Sequence, residues 1–294
     1  MKYVDADQVQ KKMGSRLLTN RITKIIFLLS TLVGLVVLVM LFYRVLADGL
    51  GWINLDFITG KLSTDPGRAG IMGAILGTVW LMVVVAPVTM FLGIGTAIYL
   101  EEYATKGRLQ SFIQTNIANL AGVPSIVFGI LGLTVFVRTM GLGNIVLAGG
   151  LTMSLLVLPI VVVASQEALR AVPQYLREAS YGLGATKWQT IKKVVLPAAI
   201  PGILTGVILA LSRAVGETAP LTVIGIPALL IPFPDTIFDK FTVLPIQIYY
   251  WTLDSALVAE YANLAAATII ILLVILLIMN SIAVIIRNKF QKRY

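Results

Sequence analysis

The chain has 294 residues, of which 58% are hydrophobic and only 13% are charged, with a mean hydropathy of +0.92. Soluble globular domains carry about 25% charged residues, so this composition excludes an ordinary water-soluble fold. The chain contains no cysteine and no histidine, which excludes disulfides, zinc–thiolate sites, iron–sulfur clusters and the commonest general base. The sequence therefore predicts a polytopic membrane protein that is not itself an enzyme.

Six apolar runs are long enough to cross a hydrocarbon core, which requires about 20 helical residues. They are Ile25–Leu46, Ile71–Leu100, Asn116–Val137, Asn144–Ser165, Ala198–Val215 and Ala262–Ile286. We therefore expect an all-α membrane protein with six transmembrane helices. Residues 1–24 are polar, and the first run, 25–46, is too long for the core of a signal peptide, so an N-terminal tail is expected ahead of the first helix.

The basic residues are distributed unequally between the two sets of loops. Seventeen Lys and Arg residues fall on one side, whereas the other side has only Arg44, Lys61, Arg68, Arg138 and Lys240. Because basic loops stay in the cytoplasm, both tails, 1–24 and 287–294, are predicted to be cytoplasmic. The net charge of +9 is thus a sign of membrane topology, and no nucleic-acid partner is expected.

Two long loops are predicted on the outer side of the membrane. Residues 47–70 contain Gly and Asp and are expected to be irregular. The segment Pro220–Tyr261 begins within the membrane and carries four further prolines, which prevent a simple long helix.

The cytoplasmic loop 166–197 is polar but has the pattern of two short helices. Pro173 suits the first turn of a helix that runs to about Tyr181, and Gly182 or Gly184 can end it in a left-handed conformation. We call the two helices and their bend, residues 173–190, the elbow.

The second helix of the elbow has its own start signal. Thr186 and Gln189 have the spacing of a capping box, and three apolar residues are predicted to share one stripe: Trp188, Ile191 and Val195. By pattern alone the elbow is either an interfacial segment resting on lipid headgroups or a docking element for a soluble partner.

The same loop resembles the EAA loop of binding-protein-dependent ABC importer permeases. The family pattern is Glu-Ala-Ala, three residues, Gly, nine residues, Ile, one residue and Leu-Pro. Here the matching positions, with Ser180 and Val194 as conservative departures, are Glu178, Ala179, Ser180, Gly184, Val194, Leu196 and Pro197. The resemblance implies a type I ABC importer permease domain over residues 71–286, with a coupling helix in this loop that binds an ATPase.

Other segments are similar to the PstA-type permeases of phosphate importers: Ala97–Ala104, Val123–Gly129, Leu183–Ile191, Leu211–Leu221 and Val243–Thr252. PstC-type sister permeases share the core at Gly216–Thr218 but usually continue with Met. The resemblance covers about Ile71 to the C-terminus.

This likeness implies a permease for inorganic phosphate in the bacterial inner membrane. Its implied partners are a PstC-like permease, two copies of a phosphate-specific ATPase and an extracytoplasmic phosphate-binding protein. ATP and Mg would be held by the ATPase, with no cofactor on this chain. The absence of a Gly-x-x-x-x-Gly-Lys-[Ser/Thr] motif from the sequence agrees with that division.

Arg213 and Glu217 are ionisable residues within or next to the fifth apolar run, where charge is costly unless it faces protein, water or another charge. Their spacing of four suggests one helix face. Two interpretations stay open: a salt bridge that locks the helix, or a guanidinium that receives a phosphate oxyanion. Thr218 and, more weakly, Ser125 are further candidates for the pathway.

Glu101 and Glu102, at the cytoplasmic end of the second run, are most simply solvated, although the resemblance allows contact with the elbow. Other functions fit the same composition: a permease for another oxyanion such as sulfate, the PstC-like role, an ion-coupled secondary transporter, or a membrane scaffold without transport.

Overall fold

The computed structural model describes residues 6–105, 107–228 and 232–290. Within these ranges the chain is helical and forms no β-strand, apart from an isolated bridge between Ile145 and Lys240. The predicted all-α fold class is confirmed. In chain order the helices are α1 (Ala6–Gly49), α2 (Leu55–Thr59), α3 (Met72–Ile98), α4 (Arg108–Ala121), α5 (Ser125–Gly132), α6 (Val146–Arg170), α7 (Gln174–Gly182), α8 (Lys187–Thr190), α9 (Leu196–Gly216), α10 (Ala219–Ile224), α11 (Leu244–Asp254) and α12 (Glu260–Phe290).

Three π-helical turns extend these helices. Tyr99–Tyr103 continues α3, Leu133–Thr139 continues α5, and Ile191–Val195 joins α8 to α9. The elbow lies at one end of the helix bundle, which we call the basic end. The segments 50–71 and 232–243 lie at the opposite end, which we call the loop end.

Among the described residues, five helical runs are long and apolar enough to cross a membrane: Arg16–Trp52, Met72–Tyr103, Val146–Arg170, Lys187–Gly216 and Glu260–Lys289. The remaining run is a pair of helical segments, Arg108–Ala121 and Ser125–Thr139, bent by 104°. The apolar run predicted over Asn116–Val137 is therefore helical on both sides of a sharp bend, at which Pro124 lies. Pro124, with extended backbone (φ −55°, ψ 137°), lacks an N–H and ends the helical hydrogen bonding.

The centre of the bundle is α6, which packs against both α3 and α9. Its side chains Met153, Val157 and Val161 are fully buried. Glycines on the neighbouring helices let the backbones approach closely, as is common between membrane helices. Gly93 of α3 faces Val161, and Gly206 of α9 faces Ala164.

By contrast, α1 packs against α12 only through its C-terminal part. Its described apolar side chains between Met13 and Tyr43 are all exposed. Gly49, at its end, lies against the backbone of Ala266 and Ala267 in α12. Between Ile25 and Tyr43 this helix therefore presents an almost entirely apolar surface to its surroundings, as a lipid-facing or partner-facing segment does.

The loop 47–70 is more regular than its composition suggests. It contains a 3-10 turn at Leu50–Trp52, α2, and a second 3-10 turn at Pro66–Arg68. Phe57 of α2 is buried, and its ring lies 6.2 Å from that of Trp251 in α11. The expectation of an irregular loop is wrong because burial of aromatic side chains orders the segment.

The described parts of the segment Pro220–Tyr261, 220–228 and 232–261, contain the short helices α10 and α11 and no long helix before α12 begins at Glu260, as the prolines predict. Gly225 ends α10 in a left-handed conformation, with φ 81°. The carbonyl groups of Ile237 and Asp239 accept hydrogen bonds from the N–H groups of Leu147 and Val146, at 2.9 and 3.0 Å. This loop therefore caps the first turn of the central helix, α6.

Candidate functional site

The predicted ion pair between Arg213 and Glu217 is present. Arg213 Nε donates to Glu217 Oε1 at 3.2 Å. Arg213 lies in the last turn of α9, which ends at Gly216, while Glu217 has extended backbone (φ −79°, ψ 127°). The pair thus closes over the C-terminus of the helix, where a cation is favourable, and the expectation that both residues occupy one helix face is wrong.

The depth of the pair follows from helix packing. Gly206 of α9 faces Ala164 of α6, and the two helices run antiparallel. Arg213 lies seven residues beyond Gly206, about 10 Å further along the axis. That position is level with about Val157, close to the middle of the 25 residues of α6. The guanidinium is therefore carried near mid-depth of the bundle.

The two charges differ in exposure. The Arg213 side chain is 52% exposed and that of Glu217 is 19% exposed. A half-exposed guanidinium at mid-depth cannot face hydrocarbon without a large cost. The surface that carries Arg213 is therefore one that faces water or another protein.

One residue that sequence reasoning missed supports this part of α9. The Ser212 hydroxyl lies 2.5 Å from Asn280 Oδ1 in α12, and both side chains are partly buried. The available signal was an amide side chain deep within the apolar run Ala262–Ile286, where the other amide, Asn263, lies at the very start of the run. Asn280 ties the last turn of α9 to α12 immediately beside Arg213.

The other predicted pathway residues lie on neighbouring elements. Thr218 directly follows Glu217 and precedes α10, where its carbonyl accepts a hydrogen bond from the Thr222 N–H at 3.0 Å. Ser125 begins α5 and is partly buried. The helices α5 and α10 pack together, with Gly129 against Pro220. Arg213 and Glu217 are in direct contact, while Ser125 joins the region through the α5–α10 packing.

The elbow has the local structure that the sequence predicts. Gly184 follows α7 with φ 81°, and its N–H donates to the Tyr181 carbonyl at 2.9 Å. Thr186 and Gln189 form the predicted capping box at the start of α8. Glycine is favoured at 184 because most other residues pay a steric penalty in that conformation, Asn being the usual exception.

Ser180, which stands where the EAA pattern has alanine, has a structural role. Its hydroxyl lies 2.9 Å from that of Thr190, and both residues are buried. This hydrogen bond joins α7 to α8, so the two short helices form one unit.

The predicted stripe of the second helix is only partly correct. Ile191 and Val195 are buried, whereas Trp188 is 57% exposed. The π-helical turn Ile191–Val195 changes the angular spacing of side chains after α8, because it has more residues per turn than an α-helix. The elbow consequently presents four exposed apolar residues: Tyr175, Tyr181, Leu183 and Trp188. A cluster of this kind marks an interaction surface.

The remaining motif residues form the two flanks of the elbow. Glu178 and Ala179 lie on α7 and are exposed. Leu196 and Pro197 begin α9 and are partly buried. The structure therefore places Glu178, Ala179 and Gly184 at the surface, and Leu196 and Pro197 where the elbow enters the bundle.

The expectation that Glu101 and Glu102 are solvated is wrong. Arg170 donates to Glu101 at 2.6 and 2.9 Å, and Arg177 donates to Glu102 at 2.8 Å. The carboxylate side chains are only 14% and 7% exposed. Both acids therefore belong to the contact between α3 and the elbow region.

Residues 89–292 match the family described as binding-protein-dependent transport system inner membrane component. The chain belongs to this family. Its membership confirms the resemblance drawn from the EAA loop and identifies the chain as a multi-pass inner-membrane permease component.

Curated relatives of this family member include phosphate permeases. The phosphate transport system permease protein PstA of Yersinia pestis is 33% identical over 284 residues, 94% of this chain and 92% of that one. PstA 1 of Mycobacterium tuberculosis is 40% identical over 215 residues, 71% and 70% of the two chains. The probable ABC transporter permease protein YqgI of Bacillus subtilis is 35% identical over 207 residues, 70% of each.

Solved structures give the same fold. A chain of the MetNI methionine ABC transporter superposes with a TM-score of 0.60 at 17% identity, over 76% of this chain and 96% of that one. A chain of a bacterial ABC transporter that imports alginate gives 0.59 at 19% identity, over 97% and 99%. The predicted type I importer permease fold is confirmed.

Proposed function

We propose that this family member forms, together with a PstC-like permease, the pathway for inorganic phosphate of an ATP-driven importer in the bacterial inner membrane. The observation that carries the proposal is Arg213, a half-exposed guanidinium near mid-depth on a surface that cannot face lipid. A second permease on that surface would enclose it in a pathway for an anion.

Two arguments support phosphate: the relatives favour it over other oxyanions, and the guanidinium favours an oxyanion over other kinds of substrate. Relatives that cover 70% or more of the chain are named as phosphate permeases. A guanidinium also matches the oxygens of a tetrahedral oxyanion with paired donors, which the ammonium of lysine does not do.

Glu217 has a complementary role in this proposal. Its carboxylate occupies Arg213 Nε when no anion is present and competes with the anion when one arrives. A pathway must bind its ion weakly enough to release it, and a competing carboxylate shortens the stay of phosphate beside Arg213. Thr218 and Ser125 would supply hydroxyl groups on the adjoining helices.

The elbow would dock on one of two copies of a phosphate-specific ATPase subunit, which carries the ATP and Mg. A Cβ atom at Gly184 would meet nothing within 4 Å in this chain, and exposed aromatic and leucine side chains surround it. The basic end is then cytoplasmic, with both termini. An extracytoplasmic phosphate-binding protein would deliver phosphate at the loop end.

The test is phosphate uptake and phosphate-stimulated ATP hydrolysis by the complex reconstituted with its permease, ATPase and binding-protein partners. We expect uptake that excess phosphate competes and excess sulfate does not. Competition by sulfate alone would assign another oxyanion, and uptake without the ATPase would assign a secondary transporter. Either result contradicts the proposal.

The role of the ion pair is tested by neutralising both members together. In the Arg213→Gln/Glu217→Gln variant neither charge is left unpaired, so a locking salt bridge predicts near-normal uptake. A pathway role predicts an assembled complex that does not move phosphate.

The chain offers a matched control. Arg44 and Asp48 form another Arg–carboxylate pair at a spacing of four, at 3.7 Å, with exposed side chains. We expect Arg44→Gln/Asp48→Asn to transport normally. Uptake is normalised to the amount of assembled complex in both variants. Near-normal uptake by the Arg213→Gln/Glu217→Gln variant would contradict the proposed contact between Arg213 and phosphate.

A further inference from the structure

The last turn of α3 is bound to two different elements by adjacent carboxylates. Arg170, at the end of α6, donates to both oxygens of Glu101 through Nε and Nη2, and Gln166 donates to Glu101 at 2.8 Å. This two-point pairing fixes the end of α3 to α6 with high geometric specificity.

The neighbouring carboxylate binds the elbow. Arg177 of α7 donates to Glu102 at 2.8 Å, and the two side chains are 13% and 7% exposed. The same guanidinium donates to the carbonyl groups of Val172 at 2.7 Å and Leu169 at 3.0 Å. Arg177 therefore joins three elements: the elbow, the end of α6 and the last turn of α3.

A second contact reaches the same turn from the other half of the elbow. Lys187 Nζ lies 5.1 Å from the ring centroid of Tyr103, within the range of a cation–π interaction. Because Ser180 and Thr190 join α7 to α8, the elbow contacts α3 as one unit through both of its helices.

The helix α3 extends this connection to the loop end. The Leu244 N–H donates to Thr78 Oγ1 at 3.1 Å, and Gly77 lies against the Thr242 carbonyl. These residues of α3 are nearly the full helix length from Glu102. The elbow and the start of α11 thus both contact the same continuous helical run, Met72–Tyr103, which contains Pro87.

We propose that Glu102 and Arg177 are positioning residues through which movement of the elbow is passed to α3. The inference rests on the proposed docking of the elbow to an ATPase. A buried pair held additionally by two carbonyl groups keeps one geometry while the elbow moves, whereas an apolar contact could slide. Without the pair, the elbow turns on its own and α3 stays behind.

The first experiment measures phosphate moved per ATP hydrolysed in the assembled complex. Coupling between two sites is commonly worth about five-fold or more. We therefore expect Glu102→Gln and Arg177→Gln to lower this ratio by about five-fold or more while ATP hydrolysis continues. Glu167→Gln is the matched control, because Glu167 also binds Arg170 but is 65% exposed and lies on α6 itself. We expect the control to keep the normal ratio.

A conservative variant separates this role from a purely structural one. Arg177→Lys keeps a positive charge opposite Glu102 but loses the guanidinium donors that reach Val172 and Leu169. If Arg177 only capped α6, Arg177→Lys would behave as Arg177→Gln. If Arg177 passes movement of the elbow to α3, Arg177→Lys recovers a large part of the ratio of phosphate moved to ATP hydrolysed.

A second experiment remains informative without partners. Because the chain has no cysteine, Gly95→Cys in α3 and Gly182→Cys in the elbow would be its only thiols, and a Cβ at either position meets nothing within 4 Å. Spin labels at these positions are expected to give one narrow distance distribution, which Glu102→Gln broadens.

The outcomes distinguish the two proposals. Failure of the unmodified complex to bind an ATPase overturns the proposed function. The distances between spin labels in the chain alone still test whether Glu102 and Arg177 hold the elbow to α3. An unchanged distribution of label distances in Glu102→Gln, or an unchanged ratio of phosphate to ATP in an active complex, overturns the proposed role of Glu102 and Arg177.

Discussion

Ser180 and Thr190 share a hydrogen bond of 2.9 Å between their hydroxyl groups in the buried interior of the elbow. Each hydroxyl is the hydrogen-bond partner of the other at a buried position with little access to water. Ser180 occupies the position where the EAA pattern has alanine, so in this chain a paired polar contact stands at a position that the pattern gives as apolar.

Replacing only one member should therefore be worse than replacing both. Ser180→Ala leaves the Thr190 hydroxyl buried without this partner, which costs about 1–3 kcal/mol, and Ser180→Ala/Thr190→Val removes both polar groups. We expect faster proteolysis at the elbow in the single variant than in the double variant, measured on the purified chain in nanodiscs. Equal rates in the two variants would show that the hydroxyl pair is not what joins the two helices.

Gly184 allows backbone strain to be separated from bulk. Asn tolerates its left-handed conformation, so Gly184→Asn should keep the turn and retain ATPase binding. Gly184→Trp adds both strain and volume to the exposed bend, and we expect it to abolish co-purification of the ATPase while membrane insertion is kept. Full transport by Gly184→Trp would count heavily against docking at this surface.

Close packing of α9 on α6 depends on Gly206, whose Cβ would collide with the Ala164 side chain. Overpacking of this kind typically costs about 1–3 kcal/mol, so Gly206→Ala should lower the thermal unfolding temperature of the chain in detergent. Gly95→Ala is the control, because the space around that position is open and alanine favours the helix. A stable Gly206→Ala variant would mean that the two helices can separate slightly without loss.

Arg213→Lys keeps the charge but removes the paired donors of the guanidinium. We expect slower phosphate uptake per assembled complex than in the unmodified protein, with Arg213→Gln slower still, because Glu217 is then a partly buried carboxylate facing an anion. The measurement is the initial uptake rate, with complex assembly checked by co-purification. Equal uptake by Arg213→Lys and the unmodified complex would show that paired donors are not needed.

The loop over α6 should respond to acid. Hydrogen bonds from the backbone N–H and hydroxyl of Thr236 and from the N–H of Asp235 lower the pKa of Asp239 from its ordinary value of 3.8. A group with a lowered pKa in the folded state stabilises that state above its ordinary pKa and loses this contribution as the pH falls below it.

We therefore expect the 232–243 segment to be held equally well at neutral pH and at pH 5, and to loosen below about pH 4. Limited proteolysis with an acid-active protease measures this change, and Asp239→Asn should remove its pH dependence. Loosening that persists unchanged in Asp239→Asn would assign it to another group.

Much of the fold could be predicted from the sequence because apolar length and Lys/Arg distribution are strong signals in membrane proteins. Pro124 was expected to kink or begin a span, but a bend as sharp as 104° was not predicted, because apolar residues on both sides of it gave one run of sufficient length. The order within residues 47–70 was also missed, since it depends on Phe57 meeting Trp251, nearly two hundred residues later in the chain.

The candidate site was predicted in composition and only partly in geometry. Arg213 and Glu217 were found because charges in apolar runs are rare. The end of α9 at Gly216 was not predicted, so Arg213 and Glu217 were wrongly expected on one helix face. Glu101 and Glu102 were expected in water because local sequence does not show that Arg170 and Arg177 return to them.

The hydrogen bonds from Val146 and Leu147 to the carbonyl groups of residues 237–239 have a consequence for biosynthesis. Helix α6 is made about ninety residues before the loop that caps it. Until that loop emerges and folds back, the first N–H groups of the central helix lack these acceptors, and unpaired buried N–H groups are costly. The first turn of α6 therefore gains its acceptors only after the loop 232–243 has been synthesised. A ribosome-stalled fragment that ends before residue 232 would contain α6 with a frayed first turn.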